Sequence, residues 1–452
     1  MHSPACRSRW LCRWGCSVVL LLFGCSAPAA RAPSSLARPD PLTRLVLDNG
    51  LRLIVQDHWA SDVVALHLWV GVGGRDEGAA ELGFSHFVEH MLFKGTERRG
   101  PLFVEREVES VGGRTNAGTS LDYTFYYILL PARRATAGIE VLADVAFNSV
   151  FDPAELDRER QVVFEEARLG EDNPRSSLVR RLYAQVFAGH PYGRPVLGDE
   201  PPLKAATQET LRGYYRRHYA PENMTLVVVG AVDPEEVRAA AARAFGAVPA
   251  TGYRRQPVPP PPSLAGVRRQ EVSRSEKQAY LALGWTAPGL LDPDVYAVDL
   301  LVSILGGSRS SRLNQALRER QRLVSTIRAG YSALQTGGIV SVTAQLEPAN
   351  VATVEAAVLE EIRRLQADGV TEVELQRAIT RAEADHAFAT ETAEGLASAY
   401  GRAETVWRLE GELRYLDRLR GVSREEIGEA ARRHLRADRY AAIVFAPGRG
   451  GR

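Results

Sequence analysis

Three side chains in the stretch Ser85-His86-Phe87-Val88-Glu89-His90-Met91-Leu92-Phe93 are of types that do chemistry together. His86 and His90 are four residues apart, so on a helix they sit one above the other on one face. Two imidazoles so placed can hold one metal ion. Glu89 projects from the same turn. A glutamate flanked by large apolar residues is costly to bury unpaired, and a divalent cation beside it removes that cost. The helix that must present these groups is written in the apolar residues. Phe84, Phe87, Val88, Met91 and Leu92 recur at helical spacing and would pack on a core, leaving the polar three on another stripe. The bland alternative is an amphipathic surface helix; the intervening glutamate and the apolar flanks argue against it.

The order His-x-x-Glu-His is a zinc motif, the reverse of the thermolysin-type order. It needs a third protein ligand from elsewhere in the chain. Glu166 follows His90 by 76 residues, within Arg158-Glu159-Arg160-Gln161-Val162-Val163-Phe164-Glu165-Glu166. Glu159 and Glu166 are two turns apart and share a helical face. Glu165 is turned about 100° from Glu166. Register with Glu159 therefore favours Glu166 as the ligand.

Composition narrows the classes. The chain has 452 residues and a net charge of +1, which gives no argument for nucleic acid or an anionic membrane surface. All four cysteines, Cys6, Cys12, Cys16 and Cys25, precede residue 26, so the body has no disulfide or thiolate ligand and any metal site must use His and Glu. The N-terminus reads as a secretion signal. Arg7, Arg9 and Arg13 form a basic n-region, and residues 16–23 are an apolar run too short to span a bilayer. Leu22-Phe23-Gly24-Cys25 resembles a bacterial lipoprotein box, with Phe23 where small residues are commoner. The expectation is a signal peptide over residues 1–25, a lipid on Cys25, and a flexible tether over residues 26–41. Ser26 resembles the pattern of lipoproteins sorted to the outer membrane, so the expected location is the bacterial envelope, facing the periplasm.

Residues 42–56 alternate around Asp48-Asn49-Gly50, a hairpin signal, and residues 63–72 give a third strand. Helices are expected over 103–111 and 135–149, with a strand over 119–130 between them. Asp152-Pro153-Ala154-Glu155 reads as a helix start with an N-cap, a proline at the first position and a capping box. A helix over 207–218 and a strand over 224–230 follow. Gln256-Pro257-Val258-Pro259-Pro260-Pro261-Pro262 cannot be helix or central strand. This linker, over 256–265, divides the body into residues 42–255, carrying the metal site, and 266–447, without one. The second part echoes the first: Arg216-Arg217-His218-Tyr219 has a counterpart in Arg432-Arg433-His434-Leu435, and the helix starts Thr207 and Ser423 stand 216 residues apart. Two copies of one α/β unit are the reading.

The run His86-Phe87-Val88-Glu89-His90-Met91-Leu92-Phe93-Lys94-Gly95-Thr96, with the distant Glu166, resembles the M16 metallopeptidases, which include pitrilysin, insulin-degrading enzyme and the mitochondrial processing peptidase. Gly112-Gly113, Asn116-Ala117 and Asp122-Tyr123-Thr124 resemble that family's substrate-side strand; His190-Pro191-Tyr192-Gly193 and Leu305-Gly306-Gly307-Ser308 resemble later landmarks. The resemblance covers residues 42–447. It implies an α+β fold of the LuxS/MPP-like metallohydrolase type: two homologous α/β sandwich domains, each an antiparallel-rich sheet with helices packed on one face. It implies one Zn²⁺ per chain on His86, His90 and Glu166, Glu89 as general base, and Glu159 behind one of the histidines. It implies peptide substrates added as a strand along Asn116 and Ala117. Arg318 matches a substrate-holding arginine, but the tyrosine expected seven residues later is Ser325. The chain is half the length of the fused members, so a homodimer, or a heterodimer with a zinc-less relative, is expected. The competing reading is a non-catalytic or partner-dependent assembly subunit.

Overall fold

Turn chemistry sets the first pairing. In the computed structural model, which describes residues 42–448, Gly50 takes a φ of +86° and turns β1 (Thr43–Val46) into an antiparallel pair with β2 (Arg52–Asp57). The expected signal peptide and tether, with Cys25, lie outside the described residues. The first half continues with β3 (Val63–Val70), α1 (Phe84–Leu92), α2 (Phe103–Glu109), β4 (Arg114–Thr119), β5 (Thr124–Pro131), α3 (Ala135–Asn148), α4 (Pro153–Asp172), α5 (Pro174–Val186), α6 (Glu200–Ala205), α7 (Gln208–His218), β6 (Met224–Gly230) and α8 (Pro234–Phe245). The second half has β7 (Arg268–Arg274), β8 (Ala279–Ala287), α9 (Val295–Gly306), β9 (Val324–Ala333), β10 (Gly338–Leu346), α10 (Val351–Asp368), α11 (Glu372–Ala389), α12 (Ala393–Val406), α13 (Leu409–Leu413), α14 (Tyr415–Arg420), α15 (Arg424–His434) and β11 (Ala441–Pro447).

The two sheets repeat one five-strand order, to which the first adds β1 at its edge. One runs β1-β2-β6-β3-β5-β4 and the other β7-β11-β8-β10-β9, each with a single parallel pair (β2 with β6, β7 with β11) and antiparallel neighbours elsewhere. The starts of β2 and β7, of β3 and β8, and of α3 and α10 stand 216 residues apart, the interval already visible between Thr207 and Ser423. Both of those residues cap their helices by accepting from the third backbone N–H, with Thr210 and Glu426 returning the bond.

Each sheet is covered on one face by helices of its own half. In the first, Leu66, Leu68, Leu226 and Ile128 meet Phe87, Met91, Ile139 and Leu211 of α1, α3 and α7. The opposite face receives one helix from the other half. Ala397 and Tyr400 of α12 bury Ile54, Trp69 and Val229, while Leu178, Leu182 and Val186 of α5 bury Ala282, Ile443 and Phe445. This exchange leaves β6 buried at every position and apolar at all but Thr225, because both its faces are covered.

Two local expectations fail for physical reasons. The strand expected over 119–130 is a hairpin: Ser120 N–H bonds Tyr123 O, and β4 returns along β5 in the register Asn116↔Tyr127. Ser120 and Asp122 are turn formers, but with no glycine, proline or asparagine beside them the β-branched and aromatic residues of 119–130 mask the turn. At the start of α4, Asp152 accepts from Ala154 N–H and Glu155 N–H as expected, but the Glu155 carboxylate pairs with Arg158 instead of closing the box.

Candidate metal centre

α1 starts without a side-chain cap of its own: Gly83 sits at its N-cap with a φ of +94°, and a Cβ there would lie 2.8 Å from Gly198 Cα. The buried carboxylate of Glu77 caps the helix from a distance, accepting from Gly83 N–H and Ser85 N–H at 2.8 Å each. Those two donors are among the groups a helix start leaves unpaired. Ser85 Oγ is also 2.7 Å from Tyr214 Oη on α7. The first turn of the helix is thus tied on two sides immediately before His86.

His86 Nε2 and His90 Nε2 lie 3.2 Å apart, and Glu166 Oε2 of α4 is 3.5 Å from each. Such separations are the edges of a tetrahedron whose corners stand about 2.0–2.1 Å from its centre, the bond length zinc makes to nitrogen and oxygen. The donor set fits the ion. It is the one group of three metal-ligating side chains among the described residues. Glu166 is the more open member, 43% exposed, whereas the histidines are nearly buried. The neighbouring Glu165 turns outward to Arg168, as the 100° step between adjacent helical residues requires.

Glu159 Oε2 is 3.0 Å from His90 Nδ1, and its other oxygen is 2.9 Å from Lys94 Nζ. A carboxylate can only accept, so His90 carries its proton on Nδ1 and offers the lone pair of Nε2. Burial, and then the neighbouring His90, pushes the His86 pKa down to about 3, keeping its imidazole neutral as ligation demands. Glu89 stands beside the triad and accepts from Thr119 Oγ1 at 2.5 Å. Burial raises its carboxyl above the ordinary range, against the lowering effects of the Thr119 bond and His90.

β4 is an edge strand, with Asn116 and Ala117 at its middle and Thr119 at its metal end. Asn116 Oδ1 accepts from Ala117 N–H. In the second half, Arg318 lies half-buried on the π-helical turn Asn314–Arg320. Ser325 Oγ donates to Gln345 O, and Tyr331 Oη donates to Pro288 O. The structure therefore brings His86, His90, Glu166, Glu89 and Glu159 to one place and shows no bond from Arg318 to them. Sequence reasoning missed Glu77, Lys94 and Thr119 as parts of the site. Lys94 alone left a signal, since it stands four residues after His90, just past the end of α1.

A His/His/Glu triad with an adjacent glutamate, on a duplicated α/β unit, is the donor arrangement of the His-x-x-Glu-His metal-binding motif. Residues 52–200 match the family described as Insulinase (Peptidase family M16), and residues 205–382 match Peptidase M16 inactive domain. An uncharacterized zinc protease of Mycobacterium tuberculosis is 32% identical over 425 residues, 92% of this chain and 96% of that one. One from Bacillus subtilis is 28% identical over 414 residues, 90% of this chain and 98% of that one. The chain belongs to peptidase family M16. Among solved structures, a protease from Helicobacter pylori superposes with a TM-score of 0.85 at 24% identity, over 91% of this chain and all of that one. The periplasmic protease PqqL from Escherichia coli gives 0.74 at 24% identity, over 90% of this chain and 48% of PqqL.

Proposed function

We propose that the chain is a zinc-dependent endopeptidase acting on peptides or unfolded protein segments. The observation that carries this is the set of three ligand atoms 3.2–3.5 Å apart with Glu89 beside them. When bound, one zinc per chain on His86, His90 and Glu166 supplies a Lewis acid that polarises the scissile carbonyl and makes water acidic. The remaining steps fall to the chain's own residues. Glu89 takes the proton of the attacking water and passes it to the leaving amine. Thr119 fixes the Glu89 rotamer, and Glu159 fixes His90. A peptide added along the free edge of β4, at Asn116 and Ala117, is read through its backbone and so tolerates many sequences. Because β4 ends beside Glu89, such a peptide passes the metal.

The chain spans about half of PqqL, which supports assembly of two such halves, as a homodimer or with a zinc-less relative, with Arg318 holding substrate on the facing wall. The basic n-region and Cys25 support a lipid anchor at the bacterial envelope, facing the periplasm. Changing Cys25→Ala should then move the protein from the membrane to the soluble fraction, and an unchanged distribution would remove the anchor.

The test of the activity is peptide cleavage by the purified chain freed of its anchor, with and without chelator, beside Glu89→Gln. Cleavage that chelator stops and Glu89→Gln reduces by about 10²–10⁴-fold, with zinc still bound, is the expected result. Zinc without cleavage would point to a missing partner subunit. Neither zinc nor cleavage would leave the assembly role.

A further inference from the structure

The duplication marks a second place to search. α9, α11 and β9 hold in the second half the positions that α1, α4 and β4 hold in the first, and α9 touches α11 and β9 as α1 touches α4 and β4. Where the first half gathers its metal ligands, the second opens a cleft of about 740 Å³. That volume suits a small organic ligand or a side chain. Its lining includes Tyr296 and Asp299 of α9, Tyr331 of β9, Trp407, Glu412 of α13 and Tyr415 of α14.

The charges in the cleft are unevenly matched. On its rim, Arg381 pairs with Asp385 at 3.3 Å, and Glu394 with Arg114 of β4 at 3.1 Å. Inside, Asp299 accepts from Tyr415 Oη, and Glu412 lies 3.7 Å from His386 Nδ1. Arg402 is the remaining cation; it acts on both carboxylates and is itself exposed. Burial pushes both carboxyls above their ordinary range; the Tyr415 bond and then Arg402 oppose this at Asp299, and Arg402 and then His386 at Glu412, in each case only partly. Beside them stand ring faces: Tyr296 is 6.4 Å from Trp407 and 6.1 Å from Tyr415 between centroids. Carboxylates beside aromatic faces attract an organic cation through both charge and ring quadrupole.

We propose that this cleft binds an organic cation, an ammonium or guanidinium group on an alkyl arm, between the carboxylates of Asp299 and Glu412 and the rings of Tyr296, Trp407 and Tyr415. The cation is a free amine or guanidine, or the lysine or arginine side chain of a peptide. Glu394 joins the cleft to the far end of β4, so a peptide lying on that edge reaches it without leaving the surface. Binding here involves no step of peptide hydrolysis, so it stands or falls separately from cleavage.

The test is calorimetric titration of the full chain with three probes: Nα-acetylargininamide, its neutral isostere Nα-acetylcitrullinamide, and butylguanidine. The arginine compound should bind at least about tenfold more tightly than the citrulline compound, and Asp299→Asn or Glu412→Gln should each remove about tenfold or more of that affinity. Butylguanidine binding as tightly as the arginine compound would identify a free cation as the ligand; binding about tenfold weaker would identify a peptide side chain. Equal affinity for the arginine and citrulline compounds would overturn the proposal, as would no saturation by about 10 mM. Affinity indifferent to both substitutions would overturn it as well. The arginine–citrulline comparison uses the unaltered chain, so it does not depend on a variant folding.

Discussion

Changing Glu159→Gln isolates the contribution of one carboxylate to the metal. Glu159 serves two donors at once, His90 Nδ1 at 3.0 Å and Lys94 Nζ at 2.9 Å. A glutamine has one acceptor oxygen and one donor nitrogen, so it can satisfy only one of them. If the oxygen turns to Lys94, the amide N–H faces His90 Nδ1 and favours the tautomer with its proton on Nε2, the atom that must ligate. If it turns to His90, the Lys94 ammonium faces a donor. Either way one charge-assisted bond is lost, at about 1.4–2.7 kcal/mol, which is about 10–100-fold in metal affinity. The assay is competition for zinc against a chromophoric chelator, with thermal unfolding of the metal-free forms as the control for folding. The expected outcome is weaker zinc binding with nearly unchanged stability of the metal-free chain. A zinc affinity within about twofold of the unaltered protein would refute the reasoning, since the tautomer argument then carries no energy.

Four further outcomes follow from particular contacts. His67 has no partner for either ring nitrogen and stacks 5.0 Å from Tyr127, so His67→Phe should raise stability by about 1–3 kcal/mol at neutral pH in denaturant unfolding. The same burial lowers the His67 pKa to about 3, and that of His218 to about 4. The unfolded chain therefore takes up protons below its usual histidine pKa while the folded chain does not, so stability should fall as pH drops from about 6.5 towards these values, less steeply in His67→Phe. Glu77→Ala should cost about 2–4 kcal/mol by stranding two backbone donors at the buried start of α1, and should weaken zinc binding in the same competition assay; unchanged melting would remove Glu77 as the cap. Gly401→Ala should destabilise by about 1–3 kcal/mol, because its Cβ would come within 2.0 Å of Trp69 Nε1 where α12 crosses the first sheet; an unchanged unfolding midpoint would show that the indole moves freely aside.

What could be read from the sequence was what local periodicity encodes. His86, Glu89 and His90 declare themselves because helical spacing alone gathers them, and the same arithmetic separates Glu166 from Glu165. The duplication is visible because capped helix starts recur at one interval, Thr207 and Ser423. What escaped depends on contacts between segments far apart in the chain. Glu77 caps α1 only because the loop before the helix folds back on it, and nothing about a lone glutamate announces that. α5 and α12 each cover the sheet of the other half, and no pattern within a helix names the sheet it will meet. Asp299, Glu412 and Tyr415 belong to separate elements of the second half, and each alone has a bland reading. Their meeting in one cleft follows from the repeat: a duplicated fold rebuilds the walls of its site even where the ligands are gone, leaving a concave surface whose chemistry is set by whatever residues now line it. The metal centre and the cleft are in this sense one position used twice. A half that lacks metal ligands is therefore the place to look for recognition rather than for inert scaffold.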